Sequence, residues 1–211
     1  MDAIIISGYL NDLSDNIIPF IKGNDLYVHT WDNNDNSRWI KKLQRYKKYT
    51  NNFSITTESP KYDKKLYSYF YSTYKALSTI PNISMYSKIV KFKPNFIGDN
   101  IQYKGDLKSY FEKAKLATRP LLKEYNKEDC FYGTVYYKNI DERLFSGYPL
   151  AFKKNFLILN DIESAIYKLD QTLVDKYGEN YEGSIFWTEW FKQNNTPVIL
   201  DTDLNLPNNK M

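Results

Sequence analysis

The chain has 211 residues, 42% of them apolar, with one cysteine, one histidine and a formal net charge of +4. That length and apolar share suit one sizeable folded core and exclude a disordered chain. Cys130 has no second cysteine to pair with, one His and one Cys exclude a His/Cys zinc cluster, and the mild positive charge fits an anionic ligand but falls far short of a nucleic-acid binder.

No apolar run reaches the roughly 18 residues that a membrane helix needs. The opening "MDAIIISGYL" has neither a basic n-region nor a small-residue cleavage site, so it does not read as a signal peptide. With a lone cysteine, a reducing compartment fits.

Along the chain, "AIIISGYL" (3–10) is an apolar run closed by Ser-Gly and reads as a buried strand. "DLYVHTWD" (25–32) alternates and reads as a second strand. "SRWIKKLQRYKKY" spaces Trp39, Ile40, Leu43 and Tyr46 as a helix does, with Asn36 or Ser37 as its cap. "FSITTE" (53–58) is a third strand, and "KLYSYFYSTYKALSTI" (65–80) a helix stopped by Pro81. "MYSKIVKFKPNFIGD" (85–99) starts as a buried strand at Ile89 and Val90 and emerges in Lys-Phe-Lys-Pro-Asn.

"DLKSYFEKAKLATRPLLKEY" (106–125) reads as a helix broken near Pro120, and "CFYGTVYY" (130–137) as a strand. "DIESAIYKLDQTLVDKYG" (161–178) is a helix capped by Asn160 or Asp161 and ended by Gly178. "GSIFWTEWFKQNN" is a further helix and "PVILDTDL" a last strand. Strands alternating with helices imply an α/β fold with a central sheet and helical layers. Ligands of such sheets bind outside the carboxyl ends of the strands. That places Ser7, Gly8 and Tyr9, then His29, Thr30, Trp31 and Asp32, then Lys91 to Asn95 in one neighbourhood.

Within it, Gly8 permits close approach of a ligand to the backbone, or marks an ordinary turn. Trp31 offers a face to a base and Thr30 or Asp32 a hydrogen bond; Trp31 as core and His29 as a satisfied strand residue is the alternative. Tyr71 and Lys75 share a helix face, and packing explains Lys75 least. Lys91 and Lys93 lie on one side of their strand and suit a diphosphate, or are two solvated surface lysines. Asp201 and Asp203, spaced i,i+2 on an extended segment, point the same way and suit one hard cation, although such a pair is frequent by chance. Neither a GxGxxG fingerprint nor a Walker A motif is present.

Taken in order, "ISGYL", "YVHTWD", "FYSTYKA", "YSKIVKFKPNF", "DERLFSGYP" and "FWTEWF" resemble the landmarks of a GT-A-fold glycosyltransferase family of large DNA viruses and bacterial surface-glycan clusters, specifically the amino-terminal transferase domain of the chlorella-virus type. The resemblance runs from Ile6 to about Leu200. It implies a GT-A-like α/β fold with a central mixed β-sheet flanked by α-helices, residues 1–211 forming a single domain. The ending "LPNNKM" reads as a boundary within a longer protein.

The resemblance further implies a UDP-sugar donor, a divalent ion such as Mn²⁺ or Mg²⁺, a glycan or glycoprotein acceptor, and a cytoplasmic setting, the host cytoplasm for a viral chain. A departing nucleoside diphosphate gains negative charge that cations must stabilise. Carried over residue by residue, Ser7, Gly8, Tyr9, Thr30, Trp31 and Asp32 line the nucleotide pocket, with Lys75 facing the same cleft. Lys91 and Lys93 stand where the family has arginines, and Asn95 stands where it has the metal-binding aspartate. Asn95 ligates without charge, so Asp99, Asp141 and the Asp201/Asp203 pair are the further metal candidates. Asp141 is the first choice for the base that takes the acceptor proton and Glu189 the second; solvated surface acids are the alternative for both. A sugar-nucleotide or glycan-binding module without catalysis is the rival function.

Overall fold

The Ile4-Ile5-Ile6 run forms β1 (Ala3–Ser7), and all five of its residues are buried. β-Branched side chains pointing both ways suit a strand covered on both faces, as at the centre of a parallel sheet. β1 pairs in parallel with β2 (Asp25–Thr30) on one side and β4 (Ile89–Phe92) on the other, and β3 (Phe53–Thr57) extends the sheet beyond β2. Past β4, β6 (Asn139–Gly147) runs antiparallel, followed by β5 (Phe131–Tyr136) and β7 (Val198–Asp201). Among the described residues the order is β3-β2-β1-β4-β6-β5-β7, with β6 opposing the direction of the other strands. The computed structural model describes residues 1–8, 10, 13, 15–31, 34–59, 65–93, 127–136 and 139–201.

Helices cover both faces. On one, α1 (Ile18–Ile21) and α2 (Asn34–Gln44) contribute Ile21 and Leu43 to a core with Ile4, Ile6, Leu26 and Val28. On the other lie α3 (Lys65–Ser78), the short α4 (Pro149–Phe152) with its π-helical continuation, α5 (Ile162–Tyr177) and α6 (Gly183–Gln193). Phe70 of α3 anchors this larger core, its ring 4.3 Å from Trp187, 4.7 Å from Trp190 and 5.0 Å from Phe156 between centroids. Such close aromatic packing adds roughly 0.5–1.5 kcal/mol per pair to the burial of area. The expected α/β class, a mixed central sheet flanked by helices, is the observed one.

Local chemistry sets the element ends. Asp161 caps α5, its carboxylate accepting from the Ser164 amide at 3.4 Å, and Gly178 closes it at φ +88°. α2 begins at Asn34, earlier than a cap at Asn36 or Ser37 would place it. β6 is a strand where the sequence suggested only an acidic segment: three successive charged residues, 141–143, interrupt the alternation between Ile140 and Leu144. The helix expected over 106–125 lies outside the described residues. No helix among the described residues is long and apolar enough to cross a membrane.

Candidate functional site

The chain leaves β1 towards β2 on one side, while β4 flanks β1 on the other. The boundary between β1 and β4 is therefore a topological switch point, the position at which open α/β sheets commonly bind ligands. Register aligns Ser7 with His29 and Ile6 with Phe92, so Gly8, Thr30 and Lys93 leave the sheet at the same edge.

Gly8 is the pivot of that edge. Its φ of +104° lies in the region that L side chains rarely adopt, and a Cβ there would sit 3.0 Å from the Tyr69 ring and 3.6 Å from Trp31. Tyr69 and Trp31 meet edge to face at 6.0 Å, and the Lys93 ammonium lies 4.3 Å from the centre of the Tyr69 ring. A buried backbone turn thus lies against the buried Trp31 ring and the half-buried Tyr69 ring with a cation alongside. That combination suits a flat ring carrying negative charge.

Beneath the turn is a polar clasp. Ser7 Oγ and Thr73 Oγ1 are 2.8 Å apart, and the Gly8 amide donates to Ser72 Oγ at 2.8 Å and to the His29 carbonyl at 3.1 Å. Ser72 Oγ in turn lies 2.9 Å from both the His29 carbonyl and His29 Nδ1. His29 is fully buried and edge-on to Tyr71, and burial pushes its pKa down to about 4, so it is neutral at physiological pH. Its Nε2 and the hydroxyl of the equally buried Thr30 have no hydrogen-bond partner among the described residues.

The other sequence candidates fall at several distances from this edge. Lys91 is only 3% exposed, inside β4, with its ammonium 5.5 Å from the Phe145 ring centre and 5.2 Å from Trp187; it is not a solvated surface lysine. Lys75 pairs with Glu58 at 3.1 Å, and this hydrogen bond holds the Glu58 carboxyl below its usual range. Lys75 is six residues beyond Tyr69 on α3, about 9 Å along the helix axis, and leans towards β3 rather than over Gly8.

Asp141 lies on β6 beyond the last pairing with β4, Phe92 with Leu144, and so on the carboxyl side of the parallel strands. Glu189 is on α6, which docks on the same strand through the Ile140 amide and Thr188 Oγ1 at 3.2 Å; its carboxylate is 3.8 Å from Lys192. Asp201 ends β7, three strands from β4 or about 14 Å across the sheet, so its backbone is not beside Lys93. Tyr9, Asp32, Asn95, Asp99 and Asp203 lie outside the described residues. Among the described residues no three His, Cys, Asp or Glu side chains gather as a metal site would require.

Sequence reading missed Tyr69, Ser72 and Thr73. The signal was present: two consecutive small hydroxyl residues inside an aromatic helix are fully buried and must find partners. At the opposite edge, a cavity of about 340 Å³ lies among Ser84, Tyr86, Glu128, Tyr148, Leu150 and Lys153. Close by, the Tyr86 hydroxyl donates to the buried Asp25 carboxylate at 2.5 Å.

No protein-family model and no curated protein matches the chain. Among solved structures, it is similar to a cytidylyltransferase from Leptospira borgpetersenii serovar Hardjo-bovis, with 12% identity over 95% of this chain and 75% of that one and a TM-score of 0.43. It is also similar to a glycosyltransferase involved in the glycosylation of the major capsid of PBCV-1, with 12% identity, 96% and 83% coverage and a TM-score of 0.44. A third likeness is to mouse xyloside xylosyltransferase 1, at 8% identity, 95% and 85% coverage and a TM-score of 0.41. All three are distant similarities, and none of them assigns the chain to a family.

Proposed function

We propose that the protein is a GT-A-like, UDP-sugar-dependent glycosyltransferase that moves a hexose or deoxyhexose to a glycan acceptor. The observation that carries the reading is the Gly8 turn at the β1/β4 switch point, bounded by Trp31, Tyr69 and Lys93. Lys93 attracts the diphosphate, while Trp31, only 6% exposed, and the fully buried Thr30, whose hydroxyl has no partner among the described residues, would meet a base only where that edge opens to admit it.

Transfer breaks the bond between the sugar's anomeric carbon and the diphosphate oxygen and forms one to an acceptor oxygen. The electron pair leaves with UDP, so positive charge near Lys93 lowers the barrier. For the base that takes the acceptor hydroxyl proton the first choice is Asp141, whose backbone is on the carboxyl side of the parallel strands, and the second is Glu189 on α6. A divalent ion would supply further charge stabilisation of the departing diphosphate. Its protein oxygens would come from Asn95, Asp201 and Asp203, all hard donors. The position of Asp201 at the far edge of the sheet favours binding mainly through the donor's own phosphates.

That same separation, with a neutral Asn95 in place of an acid, is what favours the second reading, a sugar-nucleotide-binding module without turnover. Release of free UDP from a panel of UDP-sugars, with and without Mn²⁺, separates the two. Turnover supports the transferase; UDP binding without any release supports the binding module.

A further inference from the structure

We infer that Ser72 and Thr73 of α3, with His29 of β2, are positioning residues that fix the Gly8 turn in its ligand-accepting form; this rests on the reading of that edge as a nucleotide-sugar cleft. Two consecutive residues on β1, Ser7 and Gly8, are clasped by two consecutive residues on α3, Thr73 and Ser72, at 2.8 Å in each case. Ser7, Ser72, Thr73 and His29 are all buried, so water does not stand in for a lost partner.

Proton accounting makes the clasp directional. Ser72 has one hydroxyl proton and three neighbours: the Gly8 amide, which only donates, the His29 carbonyl, which only accepts, and His29 Nδ1. If the hydroxyl donates to the carbonyl, Nδ1–H and the Gly8 N–H both donate to Oγ. Every group in the clasp is then satisfied, and of the clasp's polar atoms the Nε2 lone pair alone lacks a partner among the described residues. If the hydroxyl donates to Nδ1 instead, Nε2 carries a buried proton with no acceptor among the described residues, and orphaned N–H groups are the rarer and costlier defect. The first arrangement is therefore favoured. His29 is a neutral Nδ1–H donor that holds Ser72 turned towards the β2 carbonyl and leaves its lone pair to Gly8.

None of these side chains needs to touch the ligand. They act through Gly8, whose turn sets the spacing between the backbone, the Trp31 and Tyr69 rings and Lys93. Of the Gly8 amide's bonds among the described residues, a turn freed from α3 keeps the 3.1 Å bond to the His29 carbonyl.

The test compares wild type with Ser72→Ala, Thr73→Val and the conservative Thr73→Ser. It measures amide hydrogen exchange segment by segment in the ligand-free protein, thermal melting, and UDP affinity by calorimetry. In Ser72→Ala and Thr73→Val, exchange across residues 6–13 should speed up about tenfold or more while β4 and α5 keep wild-type protection. UDP affinity should fall about tenfold. Thr73→Ser, which keeps the hydroxyl, should restore both. Unchanged exchange at 6–13 overturns the inference, as does acceleration spread evenly over all segments, which marks general destabilisation. If wild type binds no nucleoside diphosphate, the functional reading fails, and the exchange data still decide whether the clasp positions the turn.

Discussion

Ser7 on the interior strand β1 and Thr73 on α3 share a hydrogen bond of 2.8 Å across 66 residues of sequence. The bond joins the last residue of β1 to the helix that covers it, at the point where the sheet hands over to its loops. The tip of β1 is therefore held by side chains as well as by the ladder, and small changes there should have local and measurable effects.

Gly8→Ala should be costly for its size. A methyl group at φ +104°, 3.0 Å from the Tyr69 ring, meets both backbone strain and a steric contact. We expect a loss of about 1–3 kcal/mol, which for a chain of this size is roughly 2–4 °C of melting temperature per kcal/mol. Thermal denaturation and UDP titration should fall together. A variant with wild-type melting would mean the turn relaxes freely.

Acid should weaken the fold through His29. Its folded pKa of about 4 is below the ordinary 6.5, so the unfolded chain takes up the proton more readily. This contribution is fully present above about pH 6.5 and is lost as pH falls from there to about 4, amounting to about 3 kcal/mol. Glu58 and Lys75 face His29 with opposing effects, and Glu58, held below its usual range, stays ionised through most of that window. Urea unfolding at pH 7.5, 6 and 5 should show the decline in wild type and a flatter profile in His29→Asn. Equal slopes in the two proteins would assign the acid sensitivity elsewhere.

The two lysines of "KFK" should separate. Lys93→Ala should weaken UDP binding by about 1.5–3 kcal/mol with little change in melting. Lys91 is buried against Phe145 and Trp187, so Lys91→Ala should lower the melting temperature as well. Lys91→Met, which keeps most of the stem, should recover part of that loss. Unchanged affinity in Lys93→Ala would remove it from the cleft.

Tyr86→Phe tests the opposite edge. The change removes a donor from Asp25, whose other partners are the Asn52 amide at 3.0 Å and the Asn52 side chain at 2.9 Å, and breaks the 2.6 Å link to Tyr27. We expect a loss of about 1–3 kcal/mol in stability with UDP affinity unchanged. A parallel fall in affinity would show that the two edges are coupled.

Much of the sheet was legible because its strands are short and strongly apolar. The Ile run of β1, the alternation of β2 and the Pro81 stop after α3 each carry a local signal that tertiary structure did not override. β6 was not legible, since charges at 141–143 break its period and its strand character comes from neighbours β4 and β5. At the candidate site, Gly8, Trp31 and Lys93 were singled out from their place at strand ends, and the structure brings them together around Tyr69. Ser72 and Thr73 were missed because their role depends on a contact with β1 more than 60 residues away. Lys91 shows the same limit: alternation put it on the right face but gave no sign that α6 would bury it.

The interior position of β1, between β2 and β4, also has a consequence for biosynthesis. Ala3 pairs with Asp25 on one side and with Ile89 on the other. At roughly 5–20 residues per second, the ribosome takes several to well over ten seconds to deliver β4 after it has made β1. Until β4 arrives the Ile4-Ile5-Ile6 run has one open edge, and for most of that time it also lacks α3, which is made only shortly before β4, over one face. Slow codons between β2 and β4 should lengthen that exposure and lower the yield of folded protein.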